Sequence, residues 1–412
     1  MMKVLIYSEY FLPTVGGVQT VVSLLARGLA GADLARADLA GADLSNSAGA
    51  KSISGSPAKD SPLEVTVVTG TPAGAMDDSS LPYRVVRKPV FWQLLRLIRE
   101  AGLLHLAGPC LLPMAIAWLI GKPMVIEHHG YQTICPSGSL LMEPQQNPCP
   151  SYFMKKKYAV CLRCCAGTRG WVGSIRAVLL TFPRRWLSRQ AAVNIAISEH
   201  VAARLKMPRS RTIYHGVESP GVTAFAGRWP TGNIHVAYVG RLVSEKGLPV
   251  LIQAVRHLQE LGQPVKASII GDGSERARLE TLSKQLGTDS TVTFFGERRG
   301  RELDQALMGV EALVIPSVCE ETFGLSAVEQ MMQGRLVIAA DVGGLSEVVG
   351  DAGLRFPAGD ARALAACLKR LIEDRSLAQS LGSAARQRAT ELFRLDRMIE
   401  AHAAVYREVV IQ

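Results

Sequence analysis

Two glutamates, Glu321 and Glu329, stand eight positions apart in the part of the chain richest in chemistry. The apolar run from Ala312 to Pro316 predicts a buried strand, and Leu325 to Gln333 predicts a helix that ends at Gly334. The loop between strand and helix would lie at the carboxyl end of the strand, where open α/β sheets bind ligands. Two carboxylates there can hold hydroxyl groups of two parts of one ligand, while the helix N-terminus faces an anion. The arrangement predicts a nucleotide sugar as the ligand.

A second loop offers cations at a comparable position. The strand predicted to end at Val239 is followed by Arg241 and Lys246, which lie between Gly240 and Gly247. Arginine can bind phosphate oxygens through two parallel hydrogen bonds, and lysine adds a compact charge. Two solvated loop cations are the alternative. Because this loop and the glutamate loop both follow predicted strands, a diphosphate site is favoured.

Glycine-rich turns follow other predicted strands. Gly16 and Gly17 follow the first strand, and Gly271 follows the strand from Lys266 to Ile270. Glycine lets the backbone approach a diphosphate closely, although a turn without a ligand is the alternative at Gly271. The first turn is not Gly-x-Gly-x-x-Gly, so a nicotinamide site is poorly supported. The residues predicted to bind the nucleotide part are Gly16, Gly17, Gly240, Gly271, Phe323, Gly324, Leu325 and Glu329.

The elements that must position these loops repeat as strand, loop and helix. This pattern predicts an α/β protein with parallel sheets covered on both faces. We expect two doubly wound, Rossmann-like domains that face a central cleft, at residues 1–225 and 230–385. A Pro/Gly-rich linker is predicted at 220–232, and a final helix at 386–412 is expected to pack back on the first domain.

One segment departs from this plan. Residues 31–62 contain Ala-Asp-Leu three times at a period of five, followed by a Ser/Gly/Lys-rich run. Pentapeptide-repeat solenoids have this pattern, but three units cannot complete one coil. We therefore predict a largely disordered insert, with partner binding as the alternative.

Composition limits the function classes. The 412 residues carry a net charge of +10, which allows an anionic partner. The cations are scattered and form no basic stripe with interleaved aromatics, so nucleic acid is not predicted. The apolar run from Leu103 to Ile120 is split by Gly108 and by prolines, which favours a buried strand and helix over a membrane span. The first residues lack the layout of a signal peptide, so a cytoplasmic protein with reduced thiols is expected.

Four cysteines within thirty residues of loop-like sequence form a separate cluster. They are Cys135, Cys149, Cys161 and Cys164, with Cys165 adjacent. This spacing predicts a structural zinc site. Zinc ribbons usually contain two close pairs and this segment has one, so buried or free thiols and a redox role are the alternatives.

Together these motifs resemble the retaining glycosyltransferases of family 4, which have the two-domain GT-B fold. The resemblance covers nearly the whole chain apart from residues 31–62. It implies that Glu321 contacts hydroxyls of the donor sugar and that Glu329 holds the nucleotide ribose. It further implies that Arg241 and Lys246 bind the diphosphate.

The resemblance also extends to the first domain. It implies that Gly16 and Gly17 form the glycine loop and that His129 lies close to the donor sugar, with His128 as the alternative. The family's Asn-Gly-Val-Asp motif reads His215-Gly216-Val217-Glu218 here, so the asparagine contact is absent.

The implied reaction needs no cofactor. Arg241, Lys246 and helix N-termini would stabilise the departing diphosphate while the acceptor hydroxyl attacks from the same face, so that anomeric configuration is retained. The acceptor proton would pass to a phosphate oxygen, and His129 would position the donor. The sequence contains no Asp-x-Asp motif, which is consistent with metal-independent transfer.

The resemblance implies a UDP- or GDP-sugar donor and a glycan or lipid-linked acceptor, in polysaccharide or glycolipid assembly. Residues 153–158 and 184–187 mix cations with apolar side chains, which predicts contact with an anionic membrane surface from the cytoplasmic side. A solvated face is the alternative. Two other functions stay open: a GT-B-fold nucleotide-sugar epimerase, and a catalytically inactive nucleotide-sugar sensor or scaffold.

Overall fold

The structure is a computed structural model that describes residues 2–14, 16–31, 63–74, 76–143, 147–219, 234–263 and 265–411. The predicted linker lies outside the described residues, and so does the predicted insert beyond Gly31. The chain forms two compact units. The first unit comprises Met1–Ser139, Pro150–Glu218 and Arg394–Gln412, and the second comprises Leu140–Cys149 and Ser219–Phe393.

Strands and helices alternate along most of the chain, as the sequence predicts. The strands are β1 (Lys3–Ser8), β2 (Glu64–Thr69), β3 (Arg84–Arg87), β4 (Leu103–Ala107), β5 (Met124–His128), β6 (Leu141–Met142), β7 (Asn147–Pro148), β8 (Val193–Ala196), β9 (Ser210–Thr212), β10 (His235–Val239), β11 (Lys266–Ile270), β12 (Val292–Gly296), β13 (Ala312–Ile315), β14 (Leu336–Ala340) and β15 (Leu354–Phe356). The helices are α1 (Gly17–Leu29), α2 (Phe91–Glu100), α3 (Leu111–Leu119), α4 (Tyr158–Ser188), α5 (Glu199–Leu205), α6 (Leu248–Glu260), α7 (Arg276–Gln285), α8 (Gly300–Ala306), α9 (Leu325–Met332), α10 (Gly343–Val349), α11 (Ala361–Glu373), α12 (Arg375–Leu392) and α13 (Leu395–Ile411).

The first unit is built on a parallel sheet in the order β3-β2-β1-β4-β5-β8-β9. Every residue of β4 and β5 is buried, as expected for parallel strands that helices cover on both faces. The apolar run from Leu103 to Ile120 forms β4 and α3, so the prediction of a strand and a helix there is confirmed. Among the described residues, we find no helix with the length and apolar character that a membrane crossing requires.

The second unit contains a parallel sheet in the order β12-β11-β10-β13-β14-β15. Its strands carry apolar side chains that pack under α6 and α11 in one continuous core. The two sheets together confirm the predicted fold class, an α/β protein with two doubly wound, Rossmann-like domains.

The strand order places a switch point in each sheet. The chain moves outward in one direction from β1 to β3 and in the other from β4 to β9, so the direction reverses between β1 and β4. The corresponding reversal in the second unit lies between β10 and β13. Ligands of open α/β sheets bind beyond the carboxyl ends of the strands at such points. The loops after β10 and β13 are the ones that carry the predicted cations and glutamates.

Two helices differ from what the sequence predicts. Helix α4 begins at Tyr158, so the later part of the cysteine-rich segment is helical rather than loop-like. Its turns are interrupted at Gly170, where φ is +65°. Helix α13 belongs to the first unit, whose final segment begins at Arg394, whereas the sequence predicts a start at 386. Its Ile399 packs against Gly28 of α1, where a Cβ atom would lie 2.1 Å from Ile399 Cδ1.

Candidate functional site

The switch point of the second unit brings Lys246 and Glu321 into direct contact. Lys246 Nζ donates a hydrogen bond to Glu321 Oε1 at 2.5 Å, and Ser317 Oγ donates to the same oxygen at 2.6 Å. Burial alone would raise the pKa of Glu321, but the charge of Lys246 and these two hydrogen bonds lower it. Burial would lower the pKa of Lys246, and the carboxylate of Glu321 raises it. Both groups are therefore ionised at neutral pH.

Backbone contacts fix the two loops that carry this pair. Gly247 has φ of +63°, and a Cβ atom there would lie 2.0 Å from the carbonyl oxygen of Pro316. The N–H of Val318 donates to the carbonyl oxygen of Glu245 at 3.0 Å. Only glycine at position 247 permits this approach, so the cation loop and the glutamate loop form one structure.

The start of α10 holds the backbone of Glu321. The N–H of Gly344 donates to the carbonyl oxygen of Glu321 at 2.6 Å. At Gly343, where φ is +63°, a Cβ atom would lie 2.3 Å from that same oxygen. The first two residues of α10, both glycines, therefore support Glu321.

Arg241 lies exposed beside this pair. Its charge also lowers the pKa of Glu321, after the larger effects of burial, Lys246 and Ser317. The backbone of Arg241 is held by the buried Tyr238, whose hydroxyl donates to the Arg241 carbonyl oxygen at 2.8 Å. Gly271 packs closely here, since a Cβ atom at this residue would lie 1.9 Å from the carbonyl oxygen of Gly240. The structure thus gathers two cations and one carboxylate at the switch point.

The remaining predicted residues of the glutamate loop have different surroundings. Gly324 precedes α9 with φ of +109°. The ring of Phe323 is buried and packs edge to face on Phe393 at 5.5 Å, so the contact it can offer a nucleotide is through its backbone. Leu325 and Glu329 lie on α9, and Glu329 is exposed. Desolvation by the protein around the carboxyl raises the pKa of Glu329 to about 7.

In the first unit, Gly16 and Gly17 lie at the start of α1. The carbonyl oxygen of Gly16 accepts the first bond of the helix, from the N–H of Thr20 at 3.0 Å. The backbone of Gly16 is extended, with φ of 179°, and the N-terminal turn contains no acidic residue. An anion is therefore met by unshielded backbone N–H groups at this end of α1.

The two histidines at the end of β5, His128 within the strand and His129 directly after it, have distinct roles. His128 Nε2 lies 2.8 Å from Asn194 Oδ1, and the amide of Asn194 donates to the Ser188 and Pro208 carbonyls. Burial lowers the pKa of His128 to about 4, so the ring is neutral and belongs to the packing between strands. His129 instead lies beside Glu127, with Nε2 at 3.4 Å from Glu127 Oε2. His128 thus joins two strands of the sheet, whereas His129 contacts Glu127 instead.

Glu127 was not singled out from the sequence, yet it is the centre of a polar cluster in the first unit. Its carboxylate is completely buried. Besides His129, the Nε2 atoms of His105, His215 and His402 lie 3.3, 3.5 and 3.6 Å from its oxygens. Burial alone would raise the pKa of Glu127, but the surrounding imidazoles hold it well below its ordinary value. We call Glu127 and these four histidines the Glu127 cluster.

The sequence offers little signal for this cluster. Its members come from β4, β5, the turn after β5, the segment after β9, and α13. Of its members, His215 lies in a sequence motif, at the position where the family has asparagine. The other signal in the sequence is Glu127 itself, because a carboxylate within a predicted buried strand requires a polar partner.

The cysteines that we predict as metal ligands lie at both ends of their segment. Cys135 is buried in the loop after β5, and Cys161 and Cys164 lie three positions apart on α4, on one helix face. Cys149 lies in the short segment grouped with the second unit. Burial raises the pKa of Cys165 to about 11, and the neighbouring Cys164 and Cys135 add to that rise. Cys135 therefore lies near the start of α4.

The chain resembles known glycosyltransferases. Residues 223–388 match the family of glycosyl transferases group 1. A glycogen synthase of Mycobacterium tuberculosis is 30% identical over 254 residues, which span 58% of this chain and 59% of that protein. The chain therefore matches less than two thirds of this relative's length. These similarities support a group 1 glycosyltransferase.

Solved structures share the fold over the full chain. Anabaena HepE in complex with UDP has a TM-score of 0.67 at 18% identity, covering 99% of this chain and 100% of that one. WaaG, a glycosyltransferase involved in lipopolysaccharide biosynthesis, has a TM-score of 0.65 at 15% identity, covering 98% and 99%. These neighbours are GT-B glycosyltransferases, so the predicted GT-B fold is confirmed.

Proposed function

We propose that this protein is a retaining glycosyltransferase that moves a sugar from a nucleotide diphosphate sugar to an acceptor hydroxyl. The observation that carries the proposal is the contact between Lys246 and Glu321 at the switch point of the second unit. A permanent cation and a permanent anion side by side match the two halves of such a donor, its diphosphate and its sugar hydroxyls. The match to group 1 glycosyltransferases covers the same residues.

Each side chain has a role that its charge explains. Arg241 and Lys246 bind the diphosphate and stabilise the negative charge that grows as the sugar leaves. Glu321 accepts hydrogen bonds from donor sugar hydroxyls, and Glu329 accepts those of the ribose. In the donor complex Lys246 exchanges part of its contact with Glu321 for phosphate oxygens, so that each charge keeps a partner.

The chemical step follows from these roles. The bond between the anomeric carbon and the diphosphate oxygen breaks as the acceptor oxygen attacks from the same face. The acceptor proton passes to an oxygen of the departing diphosphate, and the products are a nucleoside diphosphate and a glycoside of retained configuration. His129 positions the donor, and the step draws on no metal ion.

The donor is proposed to be a UDP- or GDP-sugar. UDP is favoured because a structural neighbour, HepE, was solved with UDP. We expect UDP-sugars to raise the melting temperature of the protein, since a ligand at a hundred times its dissociation constant adds about 2.7 kcal/mol of stability. ADP- and GDP-sugars serve as matched ligands in the same thermal-shift screen. No shift with any nucleotide sugar would contradict the proposal.

Turnover distinguishes transfer from the other activities. We expect nucleoside diphosphate release to require an added acceptor. An epimerase would release UDP and free sugar without one, and a sensor would bind the donor without turnover. The similarities to transferases do not favour either alternative.

A lipid-linked or membrane-associated acceptor is proposed from the outer face of α4. After Gly170 this helix exposes Trp171, Ile175, Leu179, Phe182 and Trp186, which recur at intervals of three or four residues and are each at least 44% exposed. Trp118 of α3 extends this surface, with its ring 4.9 Å from that of Trp186. We call these six residues the α4 stripe.

The charge around the α4 stripe favours an anionic membrane. Arg169 and Arg176 are exposed on the same helix, Arg189 is exposed directly after it, and residues 155–157 are exposed lysines just before it. Apolar side chains that enter the acyl boundary beside cations are typical of interfacial helices. Phe153, which the sequence predicts at this surface, is instead buried against Tyr158 and Phe182.

Vesicle binding tests the membrane proposal. The protein should float with vesicles that contain anionic phospholipid, and Trp171→Ser with Leu179→Ser should reduce the bound fraction at least several-fold. Leu261→Ser, which removes an exposed apolar side chain in the second unit, is the matched control and should bind like the parent. Equal binding of all three proteins, or binding to neutral vesicles alone, would contradict this proposal.

Zinc at Cys135, Cys149, Cys161 and Cys164 is kept as a proposal for a structural site. The pairing of Cys161 with Cys164 on one face of α4 supports it, although among the described residues no three of the four sulfur atoms lie within 4.8 Å of one another. Metal content of the purified protein, compared with that of a Cys161→Ser, Cys164→Ser variant, tests it.

A further inference from the structure

The Glu127 cluster has a geometry that ordinary hydrogen bonding does not explain. Its four contacts between carboxylate oxygens and imidazole nitrogens measure 3.3 to 3.6 Å. Hydrogen bonds between nitrogen and oxygen are usually 2.7 to 3.2 Å, and charged ones are shorter. Two ligand atoms that each lie about 2.0 to 2.1 Å from one tetrahedral zinc ion are roughly 3.3 to 3.4 Å apart. The separations observed are therefore close to those of atoms that share a cation.

The polar atoms at the centre of the cluster support this interpretation. Within the described part of the chain, both oxygens of Glu127 are buried without a hydrogen-bond partner, and so are the Nε2 atoms of His105 and His129. Burying a polar atom without a partner costs free energy, and burying a carboxylate costs more. An ion bound between Glu127 and His129 would give the carboxylate and the His129 ring a partner.

Bonds on the outer side of the rings determine where the ring protons lie. His402 Nδ1 lies 2.8 Å from the carbonyl oxygen of Met398, which only accepts hydrogen bonds. The proton of a neutral His402 ring is therefore on Nδ1, and its Nε2 lone pair points toward Glu127. His105 Nδ1 lies 2.9 Å from the hydroxyl of Tyr406. Each of these two rings is thus oriented by a bond on its outer side and faces Glu127 with Nε2.

The charge of Glu127 favours a cation at the centre of the cluster. The carboxylate is completely buried, so it needs a compensating positive charge. A divalent cation supplies that charge, and imidazole with carboxylate is a ligand set that zinc accepts.

We propose that Glu127, His129 and His215 bind a zinc-like divalent transition metal ion in the first unit. Their ligand atoms all lie within 4.8 Å of one another. His105 and His402 flank the carboxylate and are not among the three ligands. The ion neutralises Glu127 and fixes His129, so its role is structural, and the proposal does not depend on transferase activity.

Cobalt binding tests the site separately from the cysteines. The full chain is stripped with a chelator and titrated with Co²⁺, whose visible bands report tetrahedral coordination and whose near-ultraviolet band reports thiolate ligands. In a Cys161→Ser, Cys164→Ser variant we expect one cobalt ion per chain, tetrahedral bands and no thiolate band. If that variant does not fold, the parent protein is titrated instead. Visible bands that grow without a matching rise of the near-ultraviolet thiolate band are then assigned to the Glu127 cluster.

Variants of the cluster complete the test. His215→Asn should weaken cobalt and zinc binding at this site at least tenfold, and His129→Asn is the second variant if His215→Asn is unfolded by circular dichroism. His128→Asn is the matched control, because His128 is equally buried on the neighbouring position but bonds Asn194. Undiminished binding in His215→Asn or His129→Asn, or no metal bound outside the cysteines, would overturn the proposal and indicate a network of shared protons.

Discussion

The two units each bury a carboxylate, but they compensate its charge differently. In the second unit Glu321 contacts Lys246, a group that stays charged at all physiological pH values. In the first unit Glu127 is surrounded by histidines, whose charge depends on pH and on metal binding. The difference shows that one fold, used twice, can support an autonomous ion pair in one unit and a condition-dependent cluster in the other.

The origin of the residues differs as well. Lys246 and Glu321 lie on two loops at the carboxyl ends of β10 and β13, which are neighbours in the sheet. The Glu127 cluster is assembled from five segments between His105 and His402. The pair of Lys246 and Glu321 therefore depends on the residues of two short loops. The Glu127 cluster depends on the packing of α13 in the first unit.

Removing Glu321 should have the largest effect. We expect Glu321→Ala to lower kcat/KM about 10²- to 10³-fold, comparable to the loss of one preorganised electrostatic contact in an active site. The variant should stay folded, because the Lys246 side chain is 23% exposed and water can replace the lost carboxylate. Transfer assays with the preferred nucleotide sugar measure the effect, and Glu373→Ala on α11 is the control, since that glutamate is exposed and makes an ordinary pair with Lys369. Turnover at the parent rate in Glu321→Ala would remove the proposed role.

Acid should destabilise the protein through buried histidines of the first unit. The folded pKa of His128 is about 4, below its ordinary value of 6.5, so the unfolded chain binds a proton more readily. Stability from this group is present above pH 6.5 and is lost as the pH falls toward 4. The full shift corresponds to about 3 kcal/mol.

Urea unfolding at pH 7.5, 6 and 5 measures this loss. His105 and His215, whose pKa values are also lowered by burial, act in the same direction. His128→Asn should flatten the pH dependence relative to the parent. A midpoint that does not change between pH 7.5 and 5 would contradict the predicted neutral state of these rings.

Gly247→Ala should destabilise the second unit by adding a single methyl group between its two binding loops. A methyl group there would meet the Pro316 carbonyl at 2.0 Å, in a residue whose φ is +63°. Gly262→Ala is the matched control, because its φ is +67° but no atom lies within 4 Å of the added carbon. We expect Gly262→Ala to cost about 1 kcal/mol of unfolding free energy and Gly247→Ala about 1–3 kcal/mol more.

Donor affinity sharpens the comparison between these two glycines. Gly247→Ala should weaken nucleotide-sugar binding because it separates the cation loop from the glutamate loop, and Gly262→Ala should not. Equal affinities and equal stabilities in the two variants would show that the contact with Pro316 does not hold the loops together.

The sequence predicts most of the second unit. Lys266–Ile270 is a strand with the predicted bounds, and the strand predicted from Ala312 to Pro316 is found at Ala312–Ile315, because apolar runs between turn residues mark buried parallel strands clearly. Arg241, Lys246 and Glu321 each follow a strand that the sequence predicts. These residues come together because β10 and β13 are neighbours in the sheet, which only the strand order of the structure shows.

The first unit is less readable for a physical reason. Tyr158 begins a helix within a segment whose prolines and glycines suggested a loop, since packing of Phe153, Cys161 and Val178 outweighs local preference there. The Glu127 cluster joins residues nearly three hundred positions apart, and no local spacing records such a contact. A spatial cluster of this kind becomes visible only when the strand order and the position of α13 are known.

The return of α13 has a consequence for synthesis. Tyr406 and His402 on this helix contact His105 and Glu127, yet the ribosome adds them after the whole second unit. Domains generally fold as units during translation, beginning with the one made first. In this chain the first unit cannot complete its fold until the second unit has been synthesised. Until then Glu127 lacks the contact that His402 of α13 provides.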